Sequence, residues 1–292
     1  IYVTGETFET EFTGDDKEAG GWGWAVWEAN YRQRGRAWER KAEVQLFDDR
    51  GNECINKTTG IRIHGSLSRG YLPKGLNLYA RKDYDGEDFF PYDLFGNGYQ
   101  AKRLTLETGG NQIINPVSDY LVQSRITDLN VESKHYIPCE VYLNGEYWGF
   151  YWLCEKYDES YLANTYGFAE DDVMYYKGDP DDMEPETANA YLETQEYIRS
   201  HDMSDENSFQ TACTLIDINS YIDYNAVMIY IGRRGDWPMT NFAAWRTKSV
   251  KEEPFHDGKW RWMVFDCNSY SMGYGVEWDH DTLTGIVAGY AD

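Results

Sequence analysis

The sequence predicts an α+β protein in two lobes, a strand-rich N-terminal one over residues 1–155 and a mainly helical C-terminal one over residues 156–292. Three observations predict it. Between about residues 40 and 155, short runs alternate apolar and polar side chains and are separated by turn residues. After Glu155 the apolar residues recur at helical spacing instead. Across all 292 residues, 11 Trp, 25 Tyr and 12 Phe supply enough ring area to close a core despite a mean hydropathy of -0.69.

Taken in order, residues 43–47 alternate, Asp48-Asp49-Arg50-Gly51-Asn52 supplies a turn, residues 61–64 alternate again, and a further strand-like run, 76–79, follows Pro73-Lys74-Gly75. Residues 139–153 form the clearest hairpin, because the central Asn144-Gly145 tolerates the positive φ angles of a type I′ turn. Helical spacing then appears at Tyr157, Tyr161 and Leu162 and through the acidic segment 179–201, whose Asp181, Asp182, Glu184 and Glu186 are expected to face water. A further helix is expected to start at the N-cap Asp217, carry Ile218, Ile222, Ala226, Ile229 and Tyr230 on its packed side, and stop at Gly232. Two strand-like runs follow, 242–246 and 259–265, and Asp266 ends the second. A cleft is expected between the lobes.

Charge narrows the function. Against 27 Lys and Arg stand 50 Asp and Glu, a net charge of -23, which repels nucleic-acid backbones and anionic lipid. Any phosphate bound must meet a local cationic pocket or a metal ion. No run approaches the ~20 apolar residues that span a bilayer, so no membrane span is expected. No signal peptide opens the numbering, and export is not read directly. The acidic, Tyr- and Trp-rich composition is nonetheless that of an extracellular protein more than a cytosolic one. Five widely spaced cysteines form no C-x-x-C pair, so neither a zinc ribbon nor a dense disulfide framework is indicated. Cys139 and Cys154 lie near the open ends of the hairpin as possible cross-strand neighbours, but small buried side chains are the expected reading.

Familiar catalytic motifs are missing. The five His residues show neither H-x-x-x-H nor H-E-x-x-H spacing, no Ser sits in a G-x-S-x-G elbow, and Gly20-Gly21-Trp22-Gly23-Trp24 lacks the Lys-Ser or Lys-Thr of a P-loop. The loop Gly232-Arg233-Arg234-Gly235-Asp236-Trp237-Pro238-Met239-Thr240-Asn241 does carry chemistry. An Asp, an Asn five positions later and a second Asp after a hairpin reproduce the order of a protein-kinase catalytic loop with its metal-binding Asp. A carboxylate there takes or orients a hydroxyl proton, while an amide oxygen and a second carboxylate hold Mg²⁺ against nucleotide phosphates. Asp236 is thus the candidate catalytic residue, and Asn241 and Asp266 the candidate metal ligands. The competing reading has Asp236 capping a loop and Asp266 closing a strand.

Four separated motifs follow one another along the chain: Gly65-x-x-Ser68-Arg69, preceded by Ile61-Arg62-Ile63-His64 and followed by Pro73-Lys74-Gly75-Leu76-Asn77-Leu78-Tyr79-Ala80-Arg81; Tyr142-Leu143-Asn144-Gly145-Glu146-Tyr147-Trp148-Gly149-Phe150-Tyr151 with Glu155; Gly235-Asp236-Trp237-Pro238 reaching Asn241 and Trp245-Arg246; and Trp260-Arg261-Trp262 leading to Asp266. Together they resemble the CotH kinase family of spore-coat and secreted bacterial proteins. The resemblance implies an atypical protein-kinase fold, ATP with Mg²⁺ or Mn²⁺ between the lobes, a protein hydroxyl as phosphoacceptor, and a place outside the cell or on the cell or spore surface. By position, Asp236 looks like the catalytic-loop Asp and Asp266 like the metal-binding Asp. Lys74 is expected to contact phosphate with Arg62 as a second cation, and Glu155 to orient a Lys.

The chain also departs from that pattern. Asp266-Cys267-Asn268 stands for Asp-x-Asp, and Glu107, Thr108 and Gln112 stand where the family carries Arg, Asn and Asp. Arg233 and Arg234 replace a neutral stretch; they either supply positive charge to the site or offset the acidic surface. An inactive relative therefore stays open. In that alternative, Trp22, Trp24, Trp27, Trp38 and the Tyr-rich hairpin form an aromatic platform for extracellular carbohydrate or a partner in a surface assembly. A glycoside hydrolase needs only two well-spaced carboxylates, but no motif favours one.

Overall fold

The computed structural model describes residues 2–3, 30–70, 72–108, 116–177, 183–233, 241–268 and 281. The chain divides into two compact units, Ile1–Pro116 with His135–Tyr157, and Val117–Lys134 with Asp158–Asp292. The segment Val117–Lys134, which precedes the hairpin in sequence, thus belongs with the helical part.

The first unit is built on a seven-stranded sheet. Its strands are β1 (Tyr2–Val3), β2 (Arg40–Phe47), β3 (Glu53–Ile63), β4 (Leu76–Ala80), β5 (Arg103–Glu107), β6 (Tyr136–Leu143) and β7 (Glu146–Glu155), in the order β1-β2-β3-β4-β5-β7-β6, every pair antiparallel. Along β2 the alternation holds, with Ala42 and Val44 buried between exposed Lys41, Glu43 and Gln45. Central β4 is buried at every position, and so reads as a continuous apolar run broken only by Asn77, which Thr105 Oγ1 bonds at 3.0 Å.

Turn chemistry fixes the register. Asp48 accepts from the Arg50 and Asn52 backbones and from Asn52 Nδ2, which holds its carboxyl below the usual range. Asn144 and Gly145 take φ of 51° and 87°, as the expected type I′ turn requires. Cys139 faces Tyr151 and Cys154 faces Tyr136, so the two sulfurs are not cross-strand neighbours, and all five cysteines are free thiols.

After β4 comes the short α1 (Lys82–Asp85). Beside it the buried Glu39 gathers Arg36, Arg62 and Arg81 at 2.9, 3.1 and 2.7 Å and the Tyr84 hydroxyl at 3.0 Å. Burial alone would raise the Glu39 pKa; the bonds from Arg81 and Tyr84 outweigh it and hold the carboxyl low.

The second unit contains α2 (Ser118–Gln123), α3 (Glu159–Tyr166), α4 (Pro185–Ser200), α5 (Glu206–Leu215) and α6 (Ile218–Tyr230). It also holds a three-stranded antiparallel sheet, β8 (Val173–Tyr176), β9 (Ala243–Thr247) and β10 (Arg261–Met263), in the order β10-β9-β8. Side-chain caps start three of the helices: Asp158, Asp205 and Asp217 accept the Tyr161, Ser208 and Asn219 and Ser220 amides. Trp260 and Val264 are fully buried in one cluster with Met228 and Tyr224, and Tyr176 stacks on Tyr191 at 3.9 Å.

The expected packed side of α6 is corrected. Ile222 and Tyr230 are 56% and 91% exposed, whereas Ser220, Tyr224, Val227 and Met228 are buried. Apolar residues occupy both sides of this helix, so spacing alone did not choose between them. Its inner side includes a serine because the Trp262 amide donates to Ser220 Oγ at 2.9 Å.

Candidate functional site

The β9–β10 pair positions the two candidate metal ligands. Ala243 pairs with Met263, Asn241 lies two residues before the first and Asp266 three after the second, so both leave the same end of the ladder. Both have left-handed backbones, φ 54° at Asn241 and 56° at Asp266, a conformation that Asn and Asp adopt more readily than other side chains.

Buried groups hold this strand end. Arg233, 1% exposed, sits just past α6 with its amide on the Met228 carbonyl at 2.9 Å, and its guanidinium donates to the Asp266 carbonyl oxygen. It therefore neither offsets surface charge nor stands exposed. One residue on, the Cys267 amide donates to Asp119 Oδ1 at 3.0 Å, and Gln123 Nε2 donates to the Val264 carbonyl at 2.7 Å. Asn268, which replaces an acid of the family pattern, is 4% exposed. Asp236, Arg234 and Gln112 lie outside the described residues.

The other candidates belong to the sheet unit. Lys74, just before β4, is 1% exposed; its Nζ donates to the Arg69 carbonyl at 2.8 Å and stands 4.1 Å from the Tyr31 ring centre. Burial, and then the Arg32 charge, lower its pKa to about 8. Arg62 donates to Glu39 and lies 4.0 Å from the Tyr79 ring centre. Glu155, 1% exposed at the end of β7, accepts the His135 amide at 2.7 Å and meets its Nδ1 at 2.6 Å. That bond raises the His135 pKa, and the side chain that meets the Glu155 carboxylate is His135 rather than the expected Lys. Glu107 faces the Tyr136 hydroxyl at 3.4 Å and Cys154 Sγ at 3.5 Å.

Chemically, Asn241 and Asp266 offer oxygen donors, the type that hard divalent cations such as Mg²⁺ and Mn²⁺ prefer. Among the described residues, no group of three or more His, Cys, Asp or Glu side chains is placed to hold a metal ion. No helix of the described residues is long and apolar enough to cross a membrane.

Sequence reasoning missed Asp119 and Gln123. The signal available was two polar residues at i and i+4 of one short helix, a spacing that puts both on the same side.

No curated protein matches the chain significantly. A family description, CotH kinase protein, matches residues 61–286, a span that includes Arg62, Lys74, Glu155, Asp236, Asn241 and Asp266. The chain belongs to the CotH kinase protein family.

Proposed function

We propose that the chain is a protein kinase that transfers the γ-phosphoryl group of ATP to a protein hydroxyl, with Mg²⁺ or Mn²⁺, outside the cell or on a cell or spore surface. The observation that carries this reading is the exit of Asn241 and Asp266 from one end of the β9–β10 pair, each with the backbone turned left-handed. In this reading their oxygens hold the metal, and Asp236 accepts the hydrogen bond of the phosphoacceptor hydroxyl. The metal supplies charge neutralisation on the phosphates. Lys74 and Arg62 add positive charge for the phosphates, and Glu155 orders its neighbourhood through His135.

A second reading draws on the β6–β7 hairpin, where Tyr142, Tyr147 and Phe150 are 47%, 59% and 41% exposed. Their rings suit an aromatic platform for carbohydrate or a partner protein on an inactive kinase scaffold.

Thermal unfolding with ATP and either metal separates the two. A nucleotide site adds about 2.7 kcal/mol at a hundredfold excess over Kd. Asp266→Ala is expected to abolish metal-dependent stabilisation, whereas Asp236→Ala keeps it and loses phosphoryl transfer. Absence of any shift at millimolar ATP with both metals, or intact transfer in both variants, overturns the kinase reading. Retention on insoluble polysaccharide that Tyr147→Ala abolishes supports the platform.

A further inference from the structure

The backbone around Asp266 is held by a splice in a hydrogen-bond ladder. Glu132 pairs in parallel with Met263: its amide donates to the Trp262 carbonyl at 3.1 Å, and the Val264 amide donates to its carbonyl at 3.0 Å. A regular parallel ladder would next bond the Lys134 amide to the Val264 carbonyl. The Gln123 side chain occupies that rung instead. Its Oε1 accepts the Lys134 amide at 2.9 Å while its Nε2 donates to the Val264 carbonyl at 2.7 Å.

Where the ladder opens, the chain turns into Phe265 and Asp266, and Asp119, four residues before Gln123, accepts the Cys267 amide at 3.0 Å. Asp119 is 4% exposed and Gln123 0%. Burying a carboxylate and an amide is costly, and apolar side chains would hold a short helix here without that cost. Directional bonds on both flanks of Asp266 give something apolar packing does not: one fixed orientation for a left-handed residue.

We infer that Asp119 and Gln123 are positioning residues that aim the Asp266 carboxylate at the metal. This rests on the metal role of Asp266 given above. In this assignment each acts through the backbone on either side of Asp266.

The test is the Kd of Mn²⁺-ATP for the full chain, measured by calorimetry well below each variant's Tm. Asp119→Ala and Gln123→Met are each expected to weaken binding about tenfold, the scale of one lost hydrogen bond to a buried group. Asp119→Asn keeps an acceptor for the Cys267 amide and is expected to stay within about threefold of the parent. Combined with Asp266→Asn, which itself weakens binding, Asp119→Ala is expected to cost nothing more, because partners in one network are not additive. If Asp119→Ala fails to fold, Gln123→Met carries the same measurement and the same combination.

Should Asp266→Asn weaken binding while Asp119→Ala and Gln123→Met leave it unchanged, or add in full to Asp266→Asn, this inference alone falls. Should Asp266→Asn leave Mn²⁺-ATP affinity untouched, the metal role falls first and takes the inference with it.

Discussion

Two hairpins of this protein differ in where they use the left-handed backbone. In β6–β7, strands of 8 and 10 residues are joined at Asn144-Gly145, where a tight turn demands positive φ and the two residues supply it cheaply. In β9–β10 the strands have 5 and 3 residues, and positive φ appears both in the connection, at Phe255 and Gly258, and at Asn241 and Asp266, at the open end. No hairpin turn requires it there. The contrast teaches that one hairpin confines the unusual conformation of its asparagine to the turn, whereas the other also adopts it beyond its strand ends, where the surroundings must hold it.

The largest expected effect tests that support. Trp260, fully buried immediately before β10, meets Tyr191 edge-on at 5.1 Å and carries the Arg246 guanidinium 5.3 Å from its ring centre. Trp260→Ala should cost about 3–5 kcal/mol in urea unfolding, whereas Tyr147→Ala on the other hairpin should stay within about 0.5 kcal/mol. Equal losses would show that the short hairpin leans on its surroundings no more than the long one.

A smaller effect has the opposite sign. Asp266→Gly should raise stability by about 1 kcal/mol by removing the left-handed penalty, while destroying metal-dependent ATP binding. Asn144→Gly, at a turn already suited to its residue, should change stability by less than about 0.5 kcal/mol and leave binding alone. A stability loss in Asp266→Gly would mean that the carboxylate itself holds the fold.

A further effect, set by pH, concerns the β9–β10 connection. There, Asp172 is bonded by Ser249 Oγ at 2.6 Å and by His256 at 2.7 Å. Burial acts to raise its pKa, but the Ser249 and His256 bonds outweigh that and lower it from 3.8 to about 2. Because the native pKa is the lower one, the stabilisation is present above the unfolded value and is lost as pH falls from 3.8 towards 2. Urea midpoints of the parent and Asp172→Asn should therefore converge over that interval. A gap that stays constant down to pH 2 would contradict the assignment.

Much of the sheet was legible because its signals are local. Alternation marked β2 and part of β3, a short apolar run after Pro73-Lys74-Gly75 marked β4, and Asn144-Gly145 marked the β6–β7 turn. The cap Asp217 and the stop at Gly232 bracketed α6, yet its packed side was misjudged, since a serine on the inner side has meaning only through the distant Trp262 amide. Asn241 and Asp266 were nominated as ligands by order along the chain, and α2 was not foreseen: six residues give little periodicity, and the bonds made by Asp119 and Gln123 span 148 and 141 positions. Arg233 was seen as a charge, but its attachment to a carbonyl 33 residues away was not.

The excursion of Val117–Lys134 into the second unit has a practical consequence for anyone cutting the gene. The peptide passes from one unit to the other after Pro116, returns after Lys134 and leaves again after Tyr157. A truncation at the apparent halfway point would strip the downstream fragment of the Asp119 and Gln123 anchors and leave the upstream fragment with a short stray helix. Separately expressible halves would need a rearranged reading order, with residues 117–134 transplanted onto the downstream piece.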